Sequence, residues 1–207
     1  MKALRWGLFW FFSVGVGGFS LVVLSMALLM GIEAAAPHLQ HYFAPYRLPL
    51  YAHMIFGPLA LVLAPFQFWA GLRNRRRALH GAMGYAYVIA VTFAGIGALA
   101  LLPRFAGSLW AATGFAILAA GWLFTTLRAV MLARAGDTAQ HRIWMMRAAS
   151  LTFAAVVLRL ITLPLMGTGM TLAQSYDITA WASWLIPLLT VELIIRRSRA
   201  PVATPAT

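Results

Sequence analysis

Apolar residues run through this chain in blocks too long to be one face of a globular helix. Nearly unbroken apolar stretches cover residues 7–30, 50–72, 79–102, 109–132, 138–163 and 178–195. A helix needs roughly 20 residues to cross a bilayer core about 30 Å thick, and each block reaches or approaches that length. Backbone groups in hydrocarbon must bond within their own segment, so such blocks predict helices and not irregular chain. The expected fold is all-α: a polytopic membrane protein, a six-transmembrane-helix bundle forming one domain over residues 1–199, with a disordered tail at 200–207. The sixth block is the shortest, and Trp181 and Trp184 read as its outer interfacial edge. The opening Met1-Lys-Ala-Leu-Arg5 imitates a secretory signal, with Ala34-Ala-Ala36 as its cleavage site. The apolar run of residues 7–30 exceeds the usual signal core, so the expectation is a retained first span.

Composition agrees with lipid as the solvent. The chain is 62% hydrophobic and 10% charged, with a mean hydropathy of +0.83, which excludes an ordinary soluble domain. A net charge of +12 could suggest nucleic acid, but the basic residues sit mostly in short connections between blocks. Lys2, Arg5, Arg73, Arg75, Arg76, Arg77, Arg134, Arg142, Arg196, Arg197 and Arg199 fall on one side, and only Arg47 and Arg104 lie in connections on the other. The positive-inside rule then places the N- and C-termini in the cytoplasm, and the basic loops against anionic lipid headgroups of the bilayer. No nucleic-acid partner is expected. Cysteine is absent, which excludes disulfides, iron–sulfur clusters and covalently attached c-type haem.

The basic connections are more than topology signals. Arg73-Asn-Arg-Arg-Arg-Ala-Leu-His80 opens the third block, and a shift of 61 residues lays Arg73 on Arg134 and His80 on His141. The layout predicts two hairpins side by side, related by an axis along the membrane normal, with two imidazoles facing each other at one depth. His53 opens the second block from the opposite side, and His38 and His41 lie in the loop before it.

Several stretches resemble a bacterial family of predicted membrane proteins, domain of unknown function 2306. They are His53-Met-Ile-Phe-Gly-Pro58 through Phe68, Leu79-His-Gly-Ala-Met-Gly-Tyr85 and Gly136-Asp-Thr-Ala-Gln-His-Arg-Ile-Trp-Met-Met-Arg147. Leu151 through Arg159 and Ala180 through Pro187, leading to Glu192, complete the likeness over roughly residues 50–195. The chain departs from the family pattern at Gly81 and Tyr85, where arginine is usual, and at Leu188, where asparagine is usual. The resemblance implies a multi-pass protein of the bacterial inner membrane and picks out residues, without supplying a chemistry.

Ionisable groups inside spans are costly and mark candidate sites. The sharpest expectation is a b-type haem with His80 and His141 as axial ligands to its iron. Gly84 would open space beside His80, Trp144 and Met145 would form walls, and Arg128, Arg142 or Arg147 would meet the propionates. Asp137 is expected to cap the fifth helix with Gln140 and to orient the His141 ring. Such a protein would pass electrons to or from quinone or another small redox partner. Arg159 follows His141 by five helical turns, so one stripe facing the bundle interior would carry both. A second reading is a small-molecule permease or receptor with an outer polar cavity at His53, Arg159 and Gln67. A third is a non-catalytic scaffold. His53 would pair with Asp177 or Glu33, and Glu192 would be the counter-ion of Arg128 or Arg147. A non-haem metal held by His80, His141 and Asp137 or Glu192 is the weaker alternative for the inner histidines.

Overall fold

A computed structural model of the chain describes residues 2–31 and 39–199. Glu33, the Ala34–Ala36 stretch, His38 and the tail at 200–207 lie outside the described residues. Six long helices dominate: α1 (Lys2–Met30), α2 (Arg47–Leu63), α3 (Arg77–Leu101), α4 (Leu109–Arg134), α5 (Thr138–Gly167) and α6 (Leu172–Arg199). All six carry stretches long and apolar enough to cross a bilayer. There are no strands among the described residues.

Two elements differ from the hydropathy pattern. The second block does not run as one helix to residue 72: α2 gives way at Leu63 to a 3₁₀ turn over Pro65–Phe68, and Trp69 is extended. Pro65 offers no amide to continue the ladder, and the chain resumes as a short helix over Ala70–Arg75 before α3 begins. The sixth helix is longer than expected, starting at Leu172 and not near residue 178. Its first turns carry Gln174, Ser175, Tyr176 and Asp177, which lower hydropathy yet are satisfied locally. Ser175 donates to the Thr171 carbonyl, and the Asp177 carboxylate accepts from Ser108. Trp181 therefore lies inside the helix, stacked on Trp110 of α4 at 4.6 Å.

The helices pack as a four-membered ring with two flankers. α2 packs on α3, α3 on α4, α4 on α5, and a lighter contact of α5 with α2 closes the ring. α1 lies over the α2/α5 seam and α6 over the α4/α5 seam. In this ring α3 and α5 stand on a diagonal, facing each other across the interior. One end of the bundle, here the basic end, carries the start of α1, the end of α6, and Arg73 to Arg77, Arg134 and Arg142. The other is the far end.

Without a hydrophobic force between helices in lipid, close approach depends on small residues. Ala60, Ala90, Ala94, Ala111, Ala129, Ala148 and Ala180 are essentially inaccessible. Gly97 is the tightest case within the helices, since a Cβ there would lie 2.7 Å from the Pro49 carbonyl oxygen and 3.0 Å from the His53 amide nitrogen. Both obstacles are backbone and cannot swing aside. Gly97→Ala should therefore wedge α2 from α3 and cost about 1–3 kcal/mol. Thermal unfolding in detergent checks this against Gly57→Ala, whose Cβ would meet nothing within 4 Å; equal midpoints would refute the close approach.

Candidate functional site

The basic end is built by the chain's entries into α3 and α5, which are made differently. Between α4 and α5, Gly136 takes a left-handed φ of 78°. The Asp137 amide then reaches back to the Leu132 carbonyl and the Gly136 amide to that of Ala133, a Schellman closure. Asp137 at once caps α5, its carboxylate accepting from the Gln140 amide at 2.9 Å. His141 is thereby the fourth residue of α5, and His80 is the fourth of α3. Each closes the first turn of its helix, His80 onto the Arg76 carbonyl and His141 onto that of Asp137, both at 2.9 Å. The two histidines take the same position on diagonal helices, near enough for the charges of His141 and Arg73 to act on His80.

Their hydrogen bonding differs in an informative way. Nδ1 of His141 lies 2.8 Å from the Ala129 carbonyl oxygen. A carbonyl only accepts, so Nδ1 carries the proton, and in the neutral imidazole the lone pair is on Nε2. The orienting group is thus Ala129 of α4, and not Asp137 as the sequence suggested, because the Asp137 side chain is taken up by the cap. Nδ1 of His80 is buried with no hydrogen-bond partner among the described residues, and so is Nε2 of Gln67. Gln67 belongs to this end: its Oε1 lies 3.4 Å from where a Gly84 Cβ would stand, one turn above His80. Grouping Gln67 with His53 and Arg159 is corrected accordingly, since α2 runs about 20 Å between residues 53 and 67. Gly81 faces open space.

About 10 Å along α3 from His80, a polar knot closes the interior. The Thr152 hydroxyl of α5 lies 2.9 Å from the Ala148 carbonyl, 2.9 Å from Trp122 Nε1 of α4 and 2.7 Å from the Tyr87 hydroxyl of α3. Indole can only donate, and the hydroxyl proton of Thr152 goes to Ala148, so Tyr87 must be the donor in its bond. Tyr87 is fully buried. Three ring helices are pinned at one level.

Beside the site, Arg147 of α5 and Glu192 of α6 form a two-pronged ion pair, Nε to Oε1 at 2.6 Å and Nη2 to Oε2 at 3.1 Å. The guanidinium also lies 4.7 Å over the Trp144 ring. Arg147, and not Arg128, is the partner of Glu192, and both of its faces are engaged. Arg128 is exposed. Among the described residues no three His, Asp or Glu side chains come together to hold a metal; the triad of His80, His141 and a carboxylate is not formed, since Asp137 caps a helix and Glu192 holds Arg147. A groove of about 250 Å³ between α3 and α4 has only Thr92 and Thr126 as polar lining among Val88, Val91, Leu123 and Leu127, so ionisable chemistry does not lie there.

The far end gathers a separate set. His53 Nδ1 lies 3.0 Å from the Ala94 carbonyl of α3, which leaves its Nε2 as an acceptor. Arg159 of α5 donates Nη1 to the Ala155 carbonyl of its own helix at 2.8 Å and lies in charge range of His53 and of Tyr176 on α6. Arg159 and His141 do not share one environment: His141 turns to α4, whereas Arg159 stands exposed toward α2 and α6. Asp177 is not the partner of His53, for it accepts from Ser108 while its carbonyl accepts from Trp110 Nε1 at 3.0 Å.

The profile of the family described as Predicted membrane protein (DUF2306) matches residues 50–195, which runs from within α2 to within α6 and covers every residue of both polar sets. The chain belongs to that family. No curated protein and no solved structure matches it. In this DUF2306 member the knot of Tyr87, Trp122 and Thr152 was not legible in the sequence, because a lone threonine and two aromatics in apolar spans carry no charge to mark them. Tyr176 was missed because it lay outside the sixth apolar block. Arg73 stood out only as one half of the repeat.

Proposed function

We propose that this DUF2306 protein is a membrane electron carrier holding b-type haem at the basic end of the bundle, with His80 and His141 as axial ligands. The observation that carries the reading is the fixed tautomer of His141. Its Nδ1–H is committed to the Ala129 carbonyl, so Nε2 presents a lone pair, the arrangement by which a second partner orients a metal-ligating imidazole. Opposite it, His80 is buried without a protein partner at Nδ1, at the same helical position of the diagonal helix. Gly81 faces open space next to that ring, Gly84 adds no side chain one turn on, and the Gln67 amide supplies an unused donor. Arg73 is the cation in charge range of His80 and, with Arg142, suits propionates better than Arg147, which Glu192 holds. The bound group would supply a one-electron store. The knot at Tyr87 limits how far it can sit from the basic end, which by charge bias faces the cytoplasm of a bacterial inner membrane. Quinone or a small soluble acceptor is the fitting redox partner.

Protein purified from haem-replete cells should show a Soret band that is lost in both His80→Ala and His141→Ala while elution from a sizing column is unchanged. Gly84→Phe, which puts a bulky ring one turn from His80 and leaves both ligands, should lose the band as well. A colourless, monodisperse wild-type preparation would overturn the assignment.

A further inference from the structure

Two buried hydrogen-bonding atoms at the basic end meet no partner among the described residues: Nε2 of Gln67 and Nδ1 of His80. Both belong to one stripe of the interior. Oε1 of Gln67 stands 3.4 Å from where a Gly84 Cβ would lie, and Gly84 follows His80 by one helical turn, about 6 Å along α3. Residues four apart share a helix face, and glycine at position 84 puts no side chain between the carboxamide and the imidazole. Gly81, next to His80, faces open space.

Local structure explains why a glutamine stands there. Pro65 ends α2, and the 3₁₀ turn Pro65–Phe68 follows, with the Gln67 amide on the Ala64 carbonyl at 3.2 Å. The flanking rings are held by α1: Phe66 lies 4.7 Å from Trp10, and Phe68 lies 5.8 Å from Trp6. Gln67 between them is left facing α3 and is only 7% exposed. A buried amide donor without an acceptor is less favourable than an apolar side chain of the same size. His141 shows the opposite case, since its Nδ1–H is engaged by the Ala129 carbonyl at 2.8 Å.

We propose that the missing acceptor is a carbonyl oxygen of a membrane quinone, bound beside Gly81 and Gly84 with Gln67 Nε2 as its donor. With Nε2 of His80 on iron, Nδ1 carries the proton, and that imidazole becomes a second donor to the same oxygen. This second bond, and the choice of quinone among uncharged carbonyl compounds, rest on the electron-carrier reading. A neutral amide in an apolar interior matches an uncharged acceptor and not an ion. Neither nitrogen meets solvent, so the carbonyl enters as Gln67 moves aside on its 3₁₀ turn, a segment outside the α-helical ladder. The quinone then lies against an axial ligand of the carrier.

The test uses the full chain from haem-replete cells in neutral detergent, with thermal unfolding as the readout and the Soret band of each preparation recorded beside it. A decyl-substituted benzoquinone should raise the midpoint in a saturable way. Decylbenzene, with the same ring and chain and no oxygens, should not. Gln67→Leu exchanges an unpartnered donor for an apolar side chain, so its midpoint without quinone should be no lower than wild type. Its apparent affinity for the quinone should fall about fivefold, the equivalent of one neutral hydrogen bond. Gly81→Leu, whose side chain enters open space, should also weaken binding, and it decides the matter if Gln67→Leu does not fold. Gln40→Leu, in the first loop at the far end, should respond like wild type. Quinone binding unchanged in folded Gln67→Leu, or matched by decylbenzene, overturns the site and leaves the haem standing. Quinone binding that Gln67→Leu weakens in a protein without a Soret band keeps the site and overturns the haem.

Discussion

Replacing Glu192 with leucine is expected to destabilise the bundle by about 3–5 kcal/mol, the cost of leaving a half-buried charge without its partner. Arg147 would then have only the Trp144 ring beside it in a region bounded by lipid. Arg147→Leu should cost a similar amount, because the Glu192 carboxylate loses both guanidinium bonds, at 2.6 and 3.1 Å. The double replacement should recover most of the loss, since two apolar side chains of similar bulk carry no desolvation cost between α5 and α6. Unfolding midpoints of the two single variants and the double in the same detergent close the cycle. Single losses that simply add in the double would show that the pair contributes nothing as a pair.

Thr152→Val should cost about 2–4 kcal/mol, more than Tyr87→Phe at about 1 kcal/mol, although the two changes remove equally few atoms. The asymmetry follows from the direction of the bonds. Thr152 accepts from both the Trp122 indole and the Tyr87 hydroxyl, so valine leaves two buried donors unsatisfied. Phenylalanine at position 87 removes one donor together with its own need for a partner. Bonds between membrane helices average less than this when the unfolded chain finds other partners; fully enclosed Tyr87 and the donor-only indole argue for the upper part of the range. Equal losses in the two variants, read from thermal or denaturant unfolding, would mean that Thr152 is not the hub.

Both effects turn on which residue meets which, and that was legible only in part. Glu192 was recognised as needing a cation, but Arg128 and Arg147 were equal candidates along the chain. The choice required knowing that α5 packs against α6 along a face carrying both positions. His53 shows the same limit: Asp177 was a reasonable partner by charge, whereas the ring instead meets the carbonyl of Ala94, a bond that no side-chain pattern encodes. Gln67 was misplaced for a different reason. It was grouped by polarity with His53, although 14 residues of the same segment carry it to the opposite end of the bundle.

Six helices, their order and the asymmetry of basic residues follow from the sequence alone, because solvation by lipid is a local constraint: each segment must be apolar and must satisfy its own backbone. The matched positions of His80 and His141 are equally local, set by two helix starts that the cap at Asp137 and the break at Arg76 define. Tertiary structure decided what those helices do to one another. It set α3 and α5 on a diagonal, put the Ala129 carbonyl against His141, left Nδ1 of His80 and Nε2 of Gln67 without partners among the described residues, and turned Arg159 back onto the Ala155 carbonyl of its own helix. The physical reason is that lipid gives no hydrophobic preference for one helix neighbour over another. Neighbours are chosen by the fit of small residues such as Gly97 and by hydrogen bonds across the interface, and both depend on distances between chain segments far apart in the sequence.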